Sequence, residues 1–268
     1  MVATQILTRT GIAQTAGKCI AFILSPVFGV NEVLCGAFLT GVLGGFPNGV
    51  HATGIVYKEG GCSKSDAEYC IALANNCSVS FVISVAGIQG LGSRYGGLIL
   101  LLAQLICVLI ISVLFRILFN YKTKSATYIS SSKTLVNLNK TLCSSIFESC
   151  KNMINVCGFI MIFYIISKLI TMHMSSPITL IINGIFEVSS SVIQVKNVIF
   201  PLNFIFCSAI VGFSGLSVLF QVADACEKYG LSPRLFIYTR LVNVVLMPVV
   251  TSFLLIYMPC KSIVFTSV

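Results

Sequence analysis

Between Gly96 and Phe119 the only polar side chains are Gln104, Ser112 and Arg116. A helix of that length extends about 36 Å at about 1.5 Å per residue, enough to cross the hydrocarbon core of a bilayer. With no water at that depth, an uninterrupted run satisfies its backbone amides as an α-helix. The rest of the chain agrees, with 56% apolar and 9% charged residues and a mean hydropathy of +0.97. A soluble domain of 268 residues has no means of covering so much apolar surface. The predicted class is an all-α, polytopic integral membrane helix bundle, with the lipid bilayer as its first partner.

The net charge of +9 does not point to nucleic acid, because the basic residues are scattered along loops instead of striping one helix among aromatics. Arg116, Lys122, Lys124, Lys133 and Lys140 form the densest basic run, contain no acid between them, and are predicted to face the cytoplasm. Twelve cysteines include no Cys-x-x-Cys, and only two histidines accompany them, so neither a metal site nor a disulfide framework is predicted. Cys143, Cys150 and Cys157 recur every seventh position and read as small apolar residues in packed helices. Lys18 and Pro26 interrupt the first apolar stretch without a small-residue cleavage pattern, so no cleaved signal peptide is expected.

Hydropathy predicts eight membrane segments, near residues 11–30, 33–56, 67–90, 96–119, 154–172, 177–195, 198–225 and 233–257. A Ser/Thr/Asn/Lys-rich linker and an interfacial helix at 141–153 divide the chain into a membrane repeat over 1–119, a basic polar segment over 120–153 and a second repeat over 154–268. Two segments share one layout. Gly44, Gly45, Phe46, Pro47, Asn48 and Gly49 interrupt the first, and Gly212, Phe213, Ser214, Gly215, Leu216 and Ser217 the second. Each is followed by a charged Lys/Glu/Gly turn and a serine helix start, Ser65 with Glu68 as a capping box and Ser232 before Pro233. With eight spans, the turn at 57–66 is predicted inside and the turn at 226–232 outside, which makes the two motifs an inverted repeat. Arg234 and Arg240, near the assigned outer end, oppose that count.

The structural breaks are assigned to Gly45, Pro47, Gly49, Gly212 and Gly215. Proline removes a donor and Asn-Gly favours a turn, so the helix opens there and leaves amides that only a protein-lined or wet cavity tolerates. The candidate pathway residues are Glu32, Asn48, His51, Asn75, Asn76, Glu187, Ser217 and Gln221. Asn75 and Asn76 sit in an apolar run where unpaired amides are costly, and interhelical hydrogen bonds or a solute would satisfy them. Glu187 is an acid inside the run from Ile178 to Val195, at about 2.5–3.5 kcal/mol for a mid-bilayer charge on insertion scales. It reads as a candidate proton carrier or hydrogen-bond partner, and its replacement by leucine is expected to leave the fold intact. No nucleophile elbow, carboxylate pair, phosphate loop or zinc spacing occurs, so neither an enzyme nor a cofactor is predicted.

Gly45-Phe46-Pro47-Asn48-Gly49, then Asn75-Asn76, then Gly212 to Val218 with Gln221, resemble in order the sporulation integral membrane protein YlbJ family, in the nucleoside-recognition or Gate-domain group. The likeness covers about residues 28–258. It implies a multi-pass protein of the cell membrane of a spore-forming bacterium, needed for spore development, with a nucleoside-transporter-like core. Cys77, Ser78 and Val79 stand where relatives carry a small residue and Gly-Pro, which implies a milder break. Relatives often follow the acid with an apolar residue and Thr-Asn-Gly, whereas Val188 and three serines follow Glu187, and Leu219 stands where a histidine is expected. The reading is a transporter-like protein that binds or moves a small polar solute, such as a nucleoside, through a central polar site, alone, as a homo-oligomer or with membrane protein partners. The alternative is a non-transporting membrane scaffold or assembly factor for spore formation, using the same glycines for close packing.

Overall fold

The structure, a computed structural model, describes residues 2–118 and 138–257. The greater part of the basic linker lies outside the described residues, which contain helices and no strand. Helices α1 (Val2–Arg9) and α2 (Ile12–Phe28) precede α3 (Cys35–Gly44), α4 (Asn48–Lys58) and α5 (Lys64–Ala74). A π-helix over Phe81–Gly90 leads into α6 (Arg94–Leu118). After the linker come α7 (Leu138–Thr171), α8 (Ser176–Phe186), α9 (Val188–Gln194), α10 (Leu202–Phe213), α11 (Gly215–Glu227) and α12 (Arg234–Tyr257).

Among the described residues, four helical stretches are long and apolar enough to cross a membrane: α6, α7, α10 with α11, and α12. A fifth is added if α1 and α2, bent by 74°, count as one. The chain is a multi-pass membrane protein of all-α class. Helix α7 shows the solvent it is built for, because it is apolar outside and polar inside. Phe147, Ile154, Met161 and Leu169 are exposed, while Ser145, Ser149, Asn152, Ser167 and Thr171 are buried. Cys143, Cys150 and Cys157 lie on its exposed side, not in a packed face. Residues 142–153 continue this helix in place of a separate interfacial one.

Of the eight expected spans, the one at 67–90 is divided into α5 and the π-helix, and those at 33–56 and 177–195 fold back on themselves. Gly41 and Gly49 are eight residues apart, about 12 Å along a straight helix, yet a Cβ on Gly41 would lie 2.9 Å from Gly49 Cα. The ends of this segment also meet, since a Cβ on Gly61 would lie 3.4 Å from Val33 Cγ1. Helices α3 and α4 therefore form a hairpin that reverses at Gly45, whose φ of +71° is the left-handed backbone that glycine tolerates. The second reversal is at Glu187. Asn183 Nδ2 donates to Gln194 Oε1 at 2.9 Å. The eleven steps from Asn183 to Gln194 would extend about 16 Å in one helix, farther than the two side chains reach, so α8 and α9 fold back on each other.

The chain packs as two compact units that interleave along the sequence. One comprises Met1–Asn76, Leu109–Cys157 and Gln221–Ile237; the other comprises Cys77–Val108, Gly158–Phe220 and Tyr238–Val268. Packing units and sequence repeats are different divisions of the chain. In the first unit α2 and α3 touch backbone to backbone, with a Cβ on Gly17 falling 2.2 Å from Gly36 N. Arg116 donates to the carbonyls of Pro26 and Val27 at 2.8 and 2.6 Å, closing the carboxy end of α2. In the second unit a Cβ on Gly90 would lie 2.4 Å from Val192 O, and one on Gly212 would lie 2.5 Å from Asn243 O.

The charged turns after α4 and α11 meet within the first unit, which overturns their expected placement on opposite sides. Glu68 Oε1 accepts from Ser232 N at 2.8 Å, so Glu68 does not cap its own helix; Ser63 does, accepting from Asp66 N at 3.1 Å. Lys58 Nζ lies 5.3 Å from the Tyr229 ring centre, and Tyr229 covers Gly54, where a Cβ would fall 2.4 Å from the ring. The physical reason is parity: each fold-back hairpin removes a crossing from the count. Single cysteines at the exposed positions Glu59 and Glu227, on a background lacking exposed thiols, should be modified from the same side of the membrane. Cys62, whose thiol burial and the Asp66 charge push up to about 12, stays silent in that assay. Modification of the two positions from opposite sides would restore the eight-span topology.

Candidate functional site

Two sets of buried polar groups stand at the interruptions, one in each unit. In the first unit Asn48 opens α4 and turns Nδ2 back to Gly44 O at 2.9 Å. One position later Gly49 faces Asn75, where a Cβ would lie 2.8 Å from Oδ1. Gly49 is thus helical, and its role is close approach, not the break itself. Helix α5 ends at Asn75, whose ψ of 91° is extended. Asn75 Nδ2 donates to Ile71 O at 2.9 Å, a carbonyl that also accepts from Asn75 N, and Asn76 Nδ2 donates to Leu73 O at 2.6 Å, so both amides bond carbonyls of the last helical turn. The backbone is non-helical from Asn75 to Ser78, a full break where a milder one was expected.

His51 is buried and its Nδ1 lies 3.3 Å from Tyr229 Oη, so its partner is a tyrosine that the sequence reading passed over. Glu32 is exposed and stands apart from the buried set. The signal for Tyr229 was Gly54, a glycine inside α4 with no turn to make, which marks a ring lying flat on the backbone.

In the second unit Glu187 is 2% exposed and is the single non-helical residue between α8 and α9. Its two carboxylate oxygens accept from Ser189 N and Ser190 N, each at 2.7 Å. Ser191 Oγ donates to its carbonyl at 2.6 Å, and its own N donates to Asn183 O at 2.7 Å. Asn183 also accepts from Ser167 Oγ of α7. The acid is therefore a helix cap first, and both of its oxygens are engaged. Between α10 and α11 the reversal of backbone hand falls on Ser214 (φ +72°) and Gly215 (φ +80°). Gly212, expected at the break, is helical. Gly215 approaches the Glu187 backbone, where a Cβ would lie 3.3 Å from Glu187 Cα. The freed Val211 carbonyl receives Ser214 Oγ at 3.0 Å and Cys77 Sγ at 3.9 Å, and Gln104 Nε2 donates to Cys77 O at 3.0 Å.

After this accounting, three predicted site residues keep a buried atom without a hydrogen-bond partner: Asn75 Oδ1, Ser217 Oγ and Gln221 Nε2. Each costs about 1–3 kcal/mol if it stays so. Other such atoms lie on α1, α2, α7 and α12. Each of the three is uncharged: Asn75 in the first unit leaves an acceptor, Gln221 in the same unit a donor, and Ser217 in the second unit a hydroxyl.

Comparison with known proteins adds one relative. The chain is 21% identical over 283 aligned positions to the sporulation integral membrane protein YlbJ of Bacillus subtilis, covering 90% of this chain and 69% of that protein. No family model matches, and no solved structure matches.

The Glu187 geometry yields a prediction opposite to the one drawn from sequence. Glu187→Leu removes both acceptors from the start of α9 and should lower stability by about 1–2 kcal/mol, the range for a lost cap. Glu187→Gln keeps one side-chain oxygen and should cost less. Thermal unfolding of the detergent-purified chain measures both, and a leucine variant as stable as the parent would remove the capping role.

Proposed function

We propose that this protein binds or moves a small polar solute at its helix breaks and acts in spore formation, as a transporter-like membrane component and not as a catalyst. The carrying observation is that the side-chain atoms left over after backbone capping, on Asn75, Ser217 and Gln221, belong to residues at or just after the interruptions. A buried polar atom without a protein partner is tolerated where something else supplies it. The likeness to YlbJ supports the link with sporulation, and a nucleoside is one solute whose donors and acceptors would suit such groups.

The order of elements supports an inverted repeat, with different partners from those read in the sequence. A fold-back hairpin, an interrupted helix and a long apolar helix occur as α3–α4, α5 with the π-helix, and α6; they recur as α8–α9, α10–α11 and α12. If α5 with the π-helix crosses the membrane, the two hairpins are separated by that crossing, α6 and α7. An odd number of crossings between equivalent elements is the count of an inverted-topology repeat, the architecture of alternating-access transporters. It also brings the Lys58, Lys64, Lys228 and Arg234 region to the side of the basic linker, as the positive-inside rule requires.

Ser217→Ala is the cleanest test. It deletes a hydroxyl that is 0% exposed and unpartnered, so the apo protein should keep its stability or gain about 1 kcal/mol. Sporulation, and the stabilisation of the purified chain by nucleosides in a thermal-shift series, should fall. Normal sporulation with Ser217→Ala and Gln221→Leu together would favour the scaffold reading.

A further inference from the structure

The corner where α7 ends and α8 begins carries a second feature, unrelated to the breaks. A cavity of 460 Å³ opens there, within the roughly 300–1,000 Å³ typical of ligand sites. Ile165 and Leu169 line it from α7, Met172 from the turn that follows, and Thr179 from α8. Ile165 and Leu169, four apart, share one face of the helix, and Met172 joins them on the cavity wall from the turn. Tyr164 and Lys168, four apart on the neighbouring face, complete the lining, with Lys168 Nζ 5.5 Å from the Tyr164 ring centre. Lys168 lies one turn from Thr171, the last residue of the span. A lysine and a tyrosine at the end of an apolar run belong at the level of the lipid headgroups.

We propose that this groove is a binding site for an anionic phospholipid, with an acyl chain along Ile165, Leu169 and Met172 and the headgroup phosphate on Lys168. Charge complementarity selects this occupant. A helix of a second copy would match the apolar residues, but α6, α8, α10 and α12 carry no acid to meet the lysine, and the acid of α7, Glu148, lies twenty residues from Lys168, about 30 Å toward the other end of the helix. A zwitterionic lipid would fill the groove with less gain at the cation. A lipid held here would fasten the corner from which the α8–α9 hairpin departs.

The test uses the full chain, purified in detergent and exchanged into mixed micelles containing phosphatidylglycerol and phosphatidylcholine of matched acyl chains. Lipid retained on the protein is counted by native mass spectrometry. The parent should retain phosphatidylglycerol about fivefold over phosphatidylcholine, the factor expected for one basic side chain near an anionic lipid. Lys168→Gln should abolish that preference, Lys168→Arg should keep it, and Lys151→Gln, at another exposed lysine of α7, should leave it unchanged. All three variants alter exposed side chains, and unchanged thermal unfolding confirms that the fold is intact. Equal retention of the two lipids by the parent, an unaltered preference in Lys168→Gln, or a lipid-free dimer disrupted by Leu169→Ser would each overturn the site.

Discussion

A backbone amide or carbonyl without a partner at membrane depth costs several kcal/mol, and the polar side chains of this protein are distributed to avoid that cost. Every interruption frees such groups. At Glu187 the carboxylate takes two amides; after Ala74 the two asparagines take two carbonyls; after Phe213 a serine and a distant thiol share the Val211 carbonyl. Asparagine, serine and glutamate in apolar runs invite a ligand interpretation, yet most of their hydrogen-bonding capacity goes to the chain itself. What remains for a solute is a short remainder, and its value as a functional clue comes from having subtracted the structural share.

Glycine solves the complementary steric problem. Where helices or hairpin arms must touch backbone to backbone, as Gly17 does Gly36, Gly41 does Gly49 and Gly212 does Asn243, any Cβ would overlap a main-chain atom. Close approach without side chains is how helices gain packing in a solvent as apolar as their own surfaces. A glycine in an apolar run thus has two distinct uses. Gly45 and Gly215 supply left-handed backbone, whereas Gly49 and Gly212 supply clearance while remaining helical.

Much of the fold was legible in the sequence because hydropathy reports the surrounding solvent directly. The long spans, the neighbourhood of both breaks and the burial of Glu187 follow from it. The direction of the chain after a break does not. Residues 44–49 allow a kink or a reversal equally, and only the contact of Gly41 with Gly49 and of Val33 with Gly61 decides for reversal. The capping box at Ser65 and Glu68 had the right spacing, but Ser63 and Asp66 have the same spacing two residues earlier, at the true helix start, and Glu68 is needed by Ser232. Ser214 in a left-handed conformation beside an available Gly212 was not readable, since glycine is the residue that position favours.

With its hairpins folded back, the chain makes fewer crossings than its apolar segments suggest, and its two charged turns meet in the first unit. The fold-back is the feature that sets how often the chain crosses the membrane. It is tested most directly by the distance between spin labels at the exposed positions Glu32 and Glu59, at the two ends of the α3–α4 hairpin, in lipid nanodiscs. A hairpin predicts less than about 20 Å, a packed-pair spacing of about 10 Å widened by the label arms. A separation near 40 Å, about 1.5 Å for each intervening residue of a continuous helix, would contradict it.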